Sequence, residues 1–148
     1  MLYVNGSDIA RLVLGVLNND ASAFLIDPVV IASSPEQFLA NVDFFLKNYT
    51  LHATPRRSRT AGPPSNLTGI VAVLGPGSAT ALRTSLTMVN ALAFAQCIPV
   101  FGVELVLGAD DRAVLVSLHG VSSMPMARPV YANPATITVS TKDALGRR

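Results

Sequence analysis

Apolar residues come in short runs over the first part of the chain. Residues 2–5, 9–17 and 23–32 are each rich in Val, Leu and Ile. Turn-forming clusters, Gly6-Ser7-Asp8 and Asn18-Asn19-Asp20, separate them. Three strands joined by short turns predict an antiparallel meander. Pro28 lies inside the third run, which places that strand at a sheet edge or a bulge. The period changes at Ser34-Pro35-Glu36-Gln37. The Ser34 hydroxyl is suited to accept the Gln37 backbone N–H, Gln37 to reach back, and Pro35 to occupy the first helical position. Phe38, Val42, Phe45 and Tyr49 then recur at helical spacing, so the pattern predicts a helix over 34–49. Asp43 and Lys47 stand four apart on it in the favourable order. Phe44 falls on the opposite face, beside Asn41 and Asn48, as a partner contact or a simply exposed ring.

Residues 50–66 have no period and read as a linker loop with three prolines and three arginines. Residues 68–74 are apolar without alternation, the pattern of a strand buried on both faces. After the sharp turn Gly75-Pro76-Gly77, Ser78 is placed to cap a second helix running to about Gln96, with Leu82, Leu86, Val89 and Ala93 on one face. Residues 98–103 form a further apolar strand, so strand, helix and strand make a right-handed crossover with parallel strands. Beyond Glu104, Asp110-Asp111-Arg112 reads as a solvated turn and 113–119 as a strand. Residues 120–128 read as irregular, 129–139 as extended and 141–148 as a loose tail. The whole order, three strands, helix, strand, helix, strand, suits a mixed α/β sheet. It is the order of the ribonuclease-H-like unit of actin, sugar kinases and Hsp70, and other α/β topologies share it.

Composition sharpens this picture. A chain of 148 residues buries about two thirds of its unfolded surface and builds a core without disulfides or metals. Hydrophobic residues make up 50% and charged residues only 14%, against a usual charged share of about 25%. Whole-chain disorder is thereby excluded, and too little polar surface remains to coat a monomer, so a partner is expected over part of it. The net charge of +2 is too weak to mark a nucleic-acid binder. The positive charge is local, at Arg56, Arg57 and Arg59 and at Arg147 and Arg148. The stretch 88–107 is interrupted by Asn90, Gln96, Pro99 and Glu104, which argues against a membrane span. Met1 to Gly6 lacks the basic start of a secretory signal, and the one cysteine, Cys97, fits a reducing, cytoplasmic compartment.

Local chemistry centres on Gly75-Pro76-Gly77-Ser78-Ala79-Thr80. Glycines admit a close ligand and a helix N-terminus favours an anion, so Gly75, Gly77, Ser78 and Thr80 are the candidate nucleotide contacts. The third fingerprint glycine is Thr80, although Glu104 stands where a ribose-binding acid would, and the P-loop Lys-Ser/Thr pair is absent. A tight structural turn explains the same residues. Cys97 has no basic neighbour and reads as a buried structural thiol. Neither His52 nor His119 has metal-ligand spacing to another His, Cys or carboxylate. No catalytic residue, metal or cofactor is therefore assigned.

The run Gly75-Pro76-Gly77-Ser78-Ala79-Thr80-Ala81-Leu82-Arg83, then Leu92-Ala93-Phe94-Ala95 and Ile98-Pro99-Val100-Phe101-Gly102-Val103, resembles the TsaB (YeaZ) family. The family's run is G-P-G-S-F-T-G-L-R, then G-L-A, then I-P-V-x-G-V. Tyr3-Val4-Asn5-Gly6-Ser7 is similar to its opening I-D-T-S, Ser34-Pro35-Glu36-Gln37-Phe38-Leu39 to H-S-E-x-L-L, and Leu67-Thr68-Gly69-Ile70-Val71-Ala72-Val73 to D-L-D-A-I-A-V. Ala109-Asp110-Asp111-Arg112 looks like the D-A-R turn opening its second lobe, and Pro129-Val130-Tyr131-Ala132-Asn133-Pro134 like the closing P-V-Y-L-R-P. Only 75–103 is specific. The resemblance implies a ribonuclease-H-like domain over 1–108 and a remnant of a shortened second lobe with a tail over 109–148.

It also implies an accessory role. TsaB-like proteins pair with a paralogue, TsaD, which carries the metal and the chemistry. With the ATPase TsaE they add a threonylcarbamoyl group to adenosine in tRNA. Mapped here, the partner helices are 34–49 and 79–96, and Phe44, Arg83, Thr87, Asn90 and Phe94 are the expected interface. Contact with tRNA is expected only through the complex. Asn5 stands where kinases of the superfamily use an aspartate near a metal, and an amide lacks that charge. Ala79, Ala81 and Ser85 depart from the family's Phe and glycines. The alternatives are a nucleotide-binding module or enzyme using the 75–80 turn, and a stand-alone homodimer.

Overall fold

The computed structural model describes residues 1–49, 67–106 and 108–131. One five-stranded sheet organises them, with β1 (Leu2–Asn5), β2 (Arg11–Leu17), β3 (Phe24–Ala32), β4 (Ile70–Gly75) and β5 (Val100–Glu104) in the order β3-β2-β1-β4-β5. The β1–β2 and β2–β3 pairs are antiparallel, while β1–β4 and β4–β5 are parallel. The expected meander and crossover are both present. Pro28 lies in the edge strand β3, where a missing N–H breaks no ladder. A 3₁₀ turn (Pro35–Gln37) leads into α1 (Phe38–Tyr49), and the Gln37 side chain accepts from the Ser34 N–H at 3.3 Å. The Lys47–Asp43 pair closes at 2.6 Å in the open, where it is worth a few tenths of a kcal/mol.

The strand period sorts side chains into two cores. Leu2, Val4, Leu12, Leu14, Ile70, Ala72, Leu74 and Val100 face one way. Against them pack Phe38, Val42, Phe45 and Leu46 of α1, and Ala81, Leu86, Met88, Val89 and Ala93 of α2 (Ala79–Gln96). Tyr3, Val13, Leu17, Val71, Val73 and Val103 face the other way, onto Leu105 and Val114. All six residues of β4 are buried, as its unbroken apolar run requires.

Beyond β5 the chain departs from expectation. Residues 113–119 do not form a strand. A 3₁₀ turn (Asp111–Ala113) runs into α3 (Val114–Ser117), a single helical turn. Asp110 starts it, its carboxylate accepting from the Arg112 N–H at 3.1 Å, and this cap outweighs the strand preference of Val114 and Val116. Residues 121–130 then return across the sheet as a strap. Met124 N–H donates to Val100 O at 2.8 Å and Val130 N–H to Leu74 O at 2.7 Å, with Ala127 buried in the first core. Cys97 is also corrected: it is exposed, not buried. It ends α2 in the left-handed conformation, φ 53°, its N–H bonding back to Ala93 O and Phe94 O, which turns the side chain off the core. His52, Arg56, Arg57, Arg59, Arg147, Arg148 and the 132–148 segment lie outside the described residues. Among the described residues, no helix is long and apolar enough to cross a membrane.

Candidate functional site

Two surfaces emerge from these elements. The first is a cleft of about 480 Å³ at the ends of β1 and β4, bordered by Asn5, Ser7, Asp8, Gly77, Ser78 and Asp111. The glycines of its turn are accounted for by this chain's own backbone. Gly75 has φ +149°, and a Cβ there would lie 2.1 Å from the Val130 carbonyl oxygen of the strap. A Cβ on Gly77 would lie 2.4 Å from the Ser7 carbonyl oxygen. The same Ser7 oxygen accepts from the Ser78 N–H at 2.7 Å, which joins the β1 turn to the start of α2. The Ser78 hydroxyl accepts from Ala81 N–H at 3.5 Å, a long cap, and Thr80 is exposed on the first turn.

Asp111 enters this cleft from far along the chain, a contact the sequence reading missed when it placed Asp110-Asp111 in a solvated turn. Its Oδ1 accepts from the Tyr3 hydroxyl and from Asn5 Nδ2, both at 2.6 Å. Asn5 Oδ1 in turn accepts from the Ser7 N–H at 3.2 Å and hydroxyl at 2.7 Å. An amide at position 5 therefore donates to one side and accepts from the other. An aspartate could not donate, and would set two carboxylates against each other. No local signal reveals the contact, because Tyr3 and Asp111 stand 108 positions apart. Among the described residues, no three His, Cys, Asp or Glu side chains are grouped to hold a metal ion. Glu104 ends β5 exposed, beside Gly75 in register.

Burial, and then the Asp111 carboxylate, raise the Tyr3 phenol well above its ordinary value near 10. The folded chain thus keeps a proton that the unfolded chain loses above about pH 10. This contribution to stability is complete below that pH and declines above it, by up to about 1.4 kcal/mol per pH unit. In urea melts from pH 8 to 11.5, Tyr3→Phe is expected to lose that one-proton slope above pH 10. Parallel curves for the two proteins would contradict the assignment.

The second surface is the outer face of α1 and α2. Leu39 is 65% exposed, Phe44 63% and Phe94 88%. Leu39 with Arg83, Thr84, Thr87, Met88, Ala91 and Leu92 borders an open, largely apolar groove of about 630 Å³ between the two helices. Arg83 is the only charged residue in the 18 of α2. Phe94 lies eleven residues further, three turns along the same side. Of the residues proposed from sequence, Arg83 and Thr87 meet in the groove. Phe44 projects from α1 and Phe94 from the C-terminal end of α2. Asn90 is turned to the strap, its Nδ2 donating to Ala127 O at 3.0 Å and its Oδ1 accepting from Ala127 N–H at 2.8 Å.

Residues 60–124 match the family model described as TsaD, tRNA N6-adenosine threonylcarbamoyltransferase. No curated protein matches the sequence. Among solved structures, YeaZ from Pseudomonas aeruginosa superposes with a TM-score of 0.50 at 21% identity, covering 70% of this chain and 42% of that one. A Pseudomonas aeruginosa protein described as uncharacterised, with similarity to peptidase YeaZ, aligns with a TM-score of 0.48 at 19% identity, covering 70% of this chain and 42% of that one. The fold is therefore that of YeaZ, in a chain that spans less than half of YeaZ's length.

Proposed function

We propose that this chain, which has the fold of YeaZ, is a non-catalytic TsaB-like subunit. It docks through α1 and α2 on a TsaD-type enzyme and stabilises or activates that enzyme for threonylcarbamoyladenosine modification of tRNA. The observation that carries the reading is the outer face of the two helices. An 18-residue surface helix with one charge, ending in an almost fully exposed Phe94, is costly in water and suited to burial against apolar helices. Phe44, Arg83, Thr87 and Phe94 are its contacts, and Asn90 holds the strap behind them. A TsaE-type ATPase is a further partner of the assembled pair, in the cytoplasm, and tRNA is reached through the complex. The cleft supports an accessory role, since both of its carboxylates are engaged within the chain, Asp111 by Tyr3 and Asn5 and Asp8 by Arg11 and the Ala10 N–H.

Light scattering on a size-exclusion column tests this. The chain mixed with the TsaD-type paralogue of the same source is expected to elute at the mass of one copy of each. Separate elution, with a homodimer of this chain alone, would favour self-association through the same faces.

A further inference from the structure

We infer that the surface seated on α1 and α2 is a protein helix face carrying a carboxylate that pairs with Arg83 amid apolar side chains. This rests on the docking reading above and adds the chemistry of the partner. Arg83 is exposed and borders the groove between Leu39 and Thr87. Its Nε donates to the Ala79 carbonyl of the preceding turn at 3.2 Å, which fixes the stem along α2. Among the described residues, no carboxylate lies within ion-pair distance of its guanidinium. The acids of the neighbouring helix are otherwise engaged or displaced: Asp43 is paired to Lys47, and Glu36 precedes α1.

The rest of the groove decides the kind of partner. Leu39, Met88, Ala91 and Leu92 are apolar, and Thr84 already donates its hydroxyl to the Thr80 carbonyl. A nucleic acid would bring many phosphates to one guanidinium and leave the rest desolvated against hydrocarbon. A helix pair with leucine-like side chains and one Asp or Glu matches both the apolar area and the single positive charge. Burying Arg83 without that carboxylate would strand a charge in an apolar interface. With it, the fork of the guanidinium fixes register and rejects partners of the wrong sign.

The test uses the full chain and its TsaD-type paralogue, titrated by calorimetry at low and high salt. Circular dichroism confirms that each variant is folded. Arg83→Met, which keeps the apolar stem, is expected to weaken association about a hundredfold and to lose most of the salt dependence. Arg83→Lys is expected to recover part of the loss, since it keeps the charge without the planar fork. Arg83→Glu is expected to abolish binding, and reversing one partner carboxylate to Arg is expected to restore it. If Phe94→Ala weakens binding while Arg83→Met and Arg83→Glu bind as the wild type does, the carboxylate inference is overturned and the docking reading stands. If the wild type does not bind the paralogue, both fall. A homodimer that Arg83→Glu alone splits, with no heteromer, overturns the inference by assigning the face to a second copy.

Discussion

Replacing Gly75 by alanine is expected to destabilise the chain by about 3 kcal/mol or more, even though only one methyl is added. The cost has two sources. The residue sits at φ +149°, a conformation open almost only to glycine, and its Cβ would fall 2.1 Å from the Val130 carbonyl oxygen. The backbone on each side of this contact is held in place. Val130 N–H donates to Leu74 O at 2.7 Å, and Gly75 O accepts from Leu105 N–H at 3.1 Å. No rotamer change relieves the clash, so either the strap or the end of β4 must move. Gly108→Ala supplies the comparison. Gly108 has φ +80° with nothing within 4 Å of a Cβ, so only backbone strain is expected there, about 1 kcal/mol. Urea denaturation of the two variants beside the wild type measures the difference. Equal, small losses would mean that the strap does not close on β4 in solution.

Phe94→Ala is expected to do the reverse: leave stability unchanged and remove much of the binding. Phe94 is 88% exposed and outside both core clusters, so its ring contributes almost nothing to folding. Alanine is also the better helix former, which favours the variant by a few tenths of a kcal/mol. In a docked complex the same ring becomes a buried aromatic anchor. Its truncation is expected to cost roughly 2 kcal/mol, or about 30-fold in affinity for the TsaD-type paralogue. Thermal melts and calorimetric titration of one preparation separate the two effects. A lower melting temperature with unchanged affinity would place the ring in the fold and not in the interface.

What the sequence carries is the part of the fold written in local periods. The meander is marked by Gly6-Ser7-Asp8 and Asn18-Asn19-Asp20, the edge position of β3 by Pro28, and the helices α1 and α2 by apolar spacing and by Ser34 and Ser78. These signals lie within a few residues of what they specify. The misread segments turn on single contacts that leave no mark on the period, two of them local and one distant. Val114 to Ser117 has strand-like composition, and the Asp110 cap decides otherwise. Cys97 looks like a core residue until the left-handed end of α2 turns it outward. Asp111 reads as solvated until Tyr3 and Asn5 reach it across the sheet. The glycines of the 75–80 turn were legible as a place where something comes close. That it is Val130 and Ser7 of the same chain depends on the returning strap and on the turn after β1, neither of which has a period of its own. The exposed face of Phe44 was legible from helical phase alone, because an aromatic off the apolar stripe has nowhere to be buried within the domain, whereas Phe94 was marked only by the family resemblance.

Amide hydrogen exchange of the chain, with and without the TsaD-type paralogue, tests the central claim most directly. Added partner is expected to slow exchange across α1 and α2, over 38–49 and 79–96, and to leave the far edge strand β3 and the turn of α3 as they were. Protection confined to β3, or to the cleft around Asn5 and Asp111 with the two helices unchanged, would contradict the account.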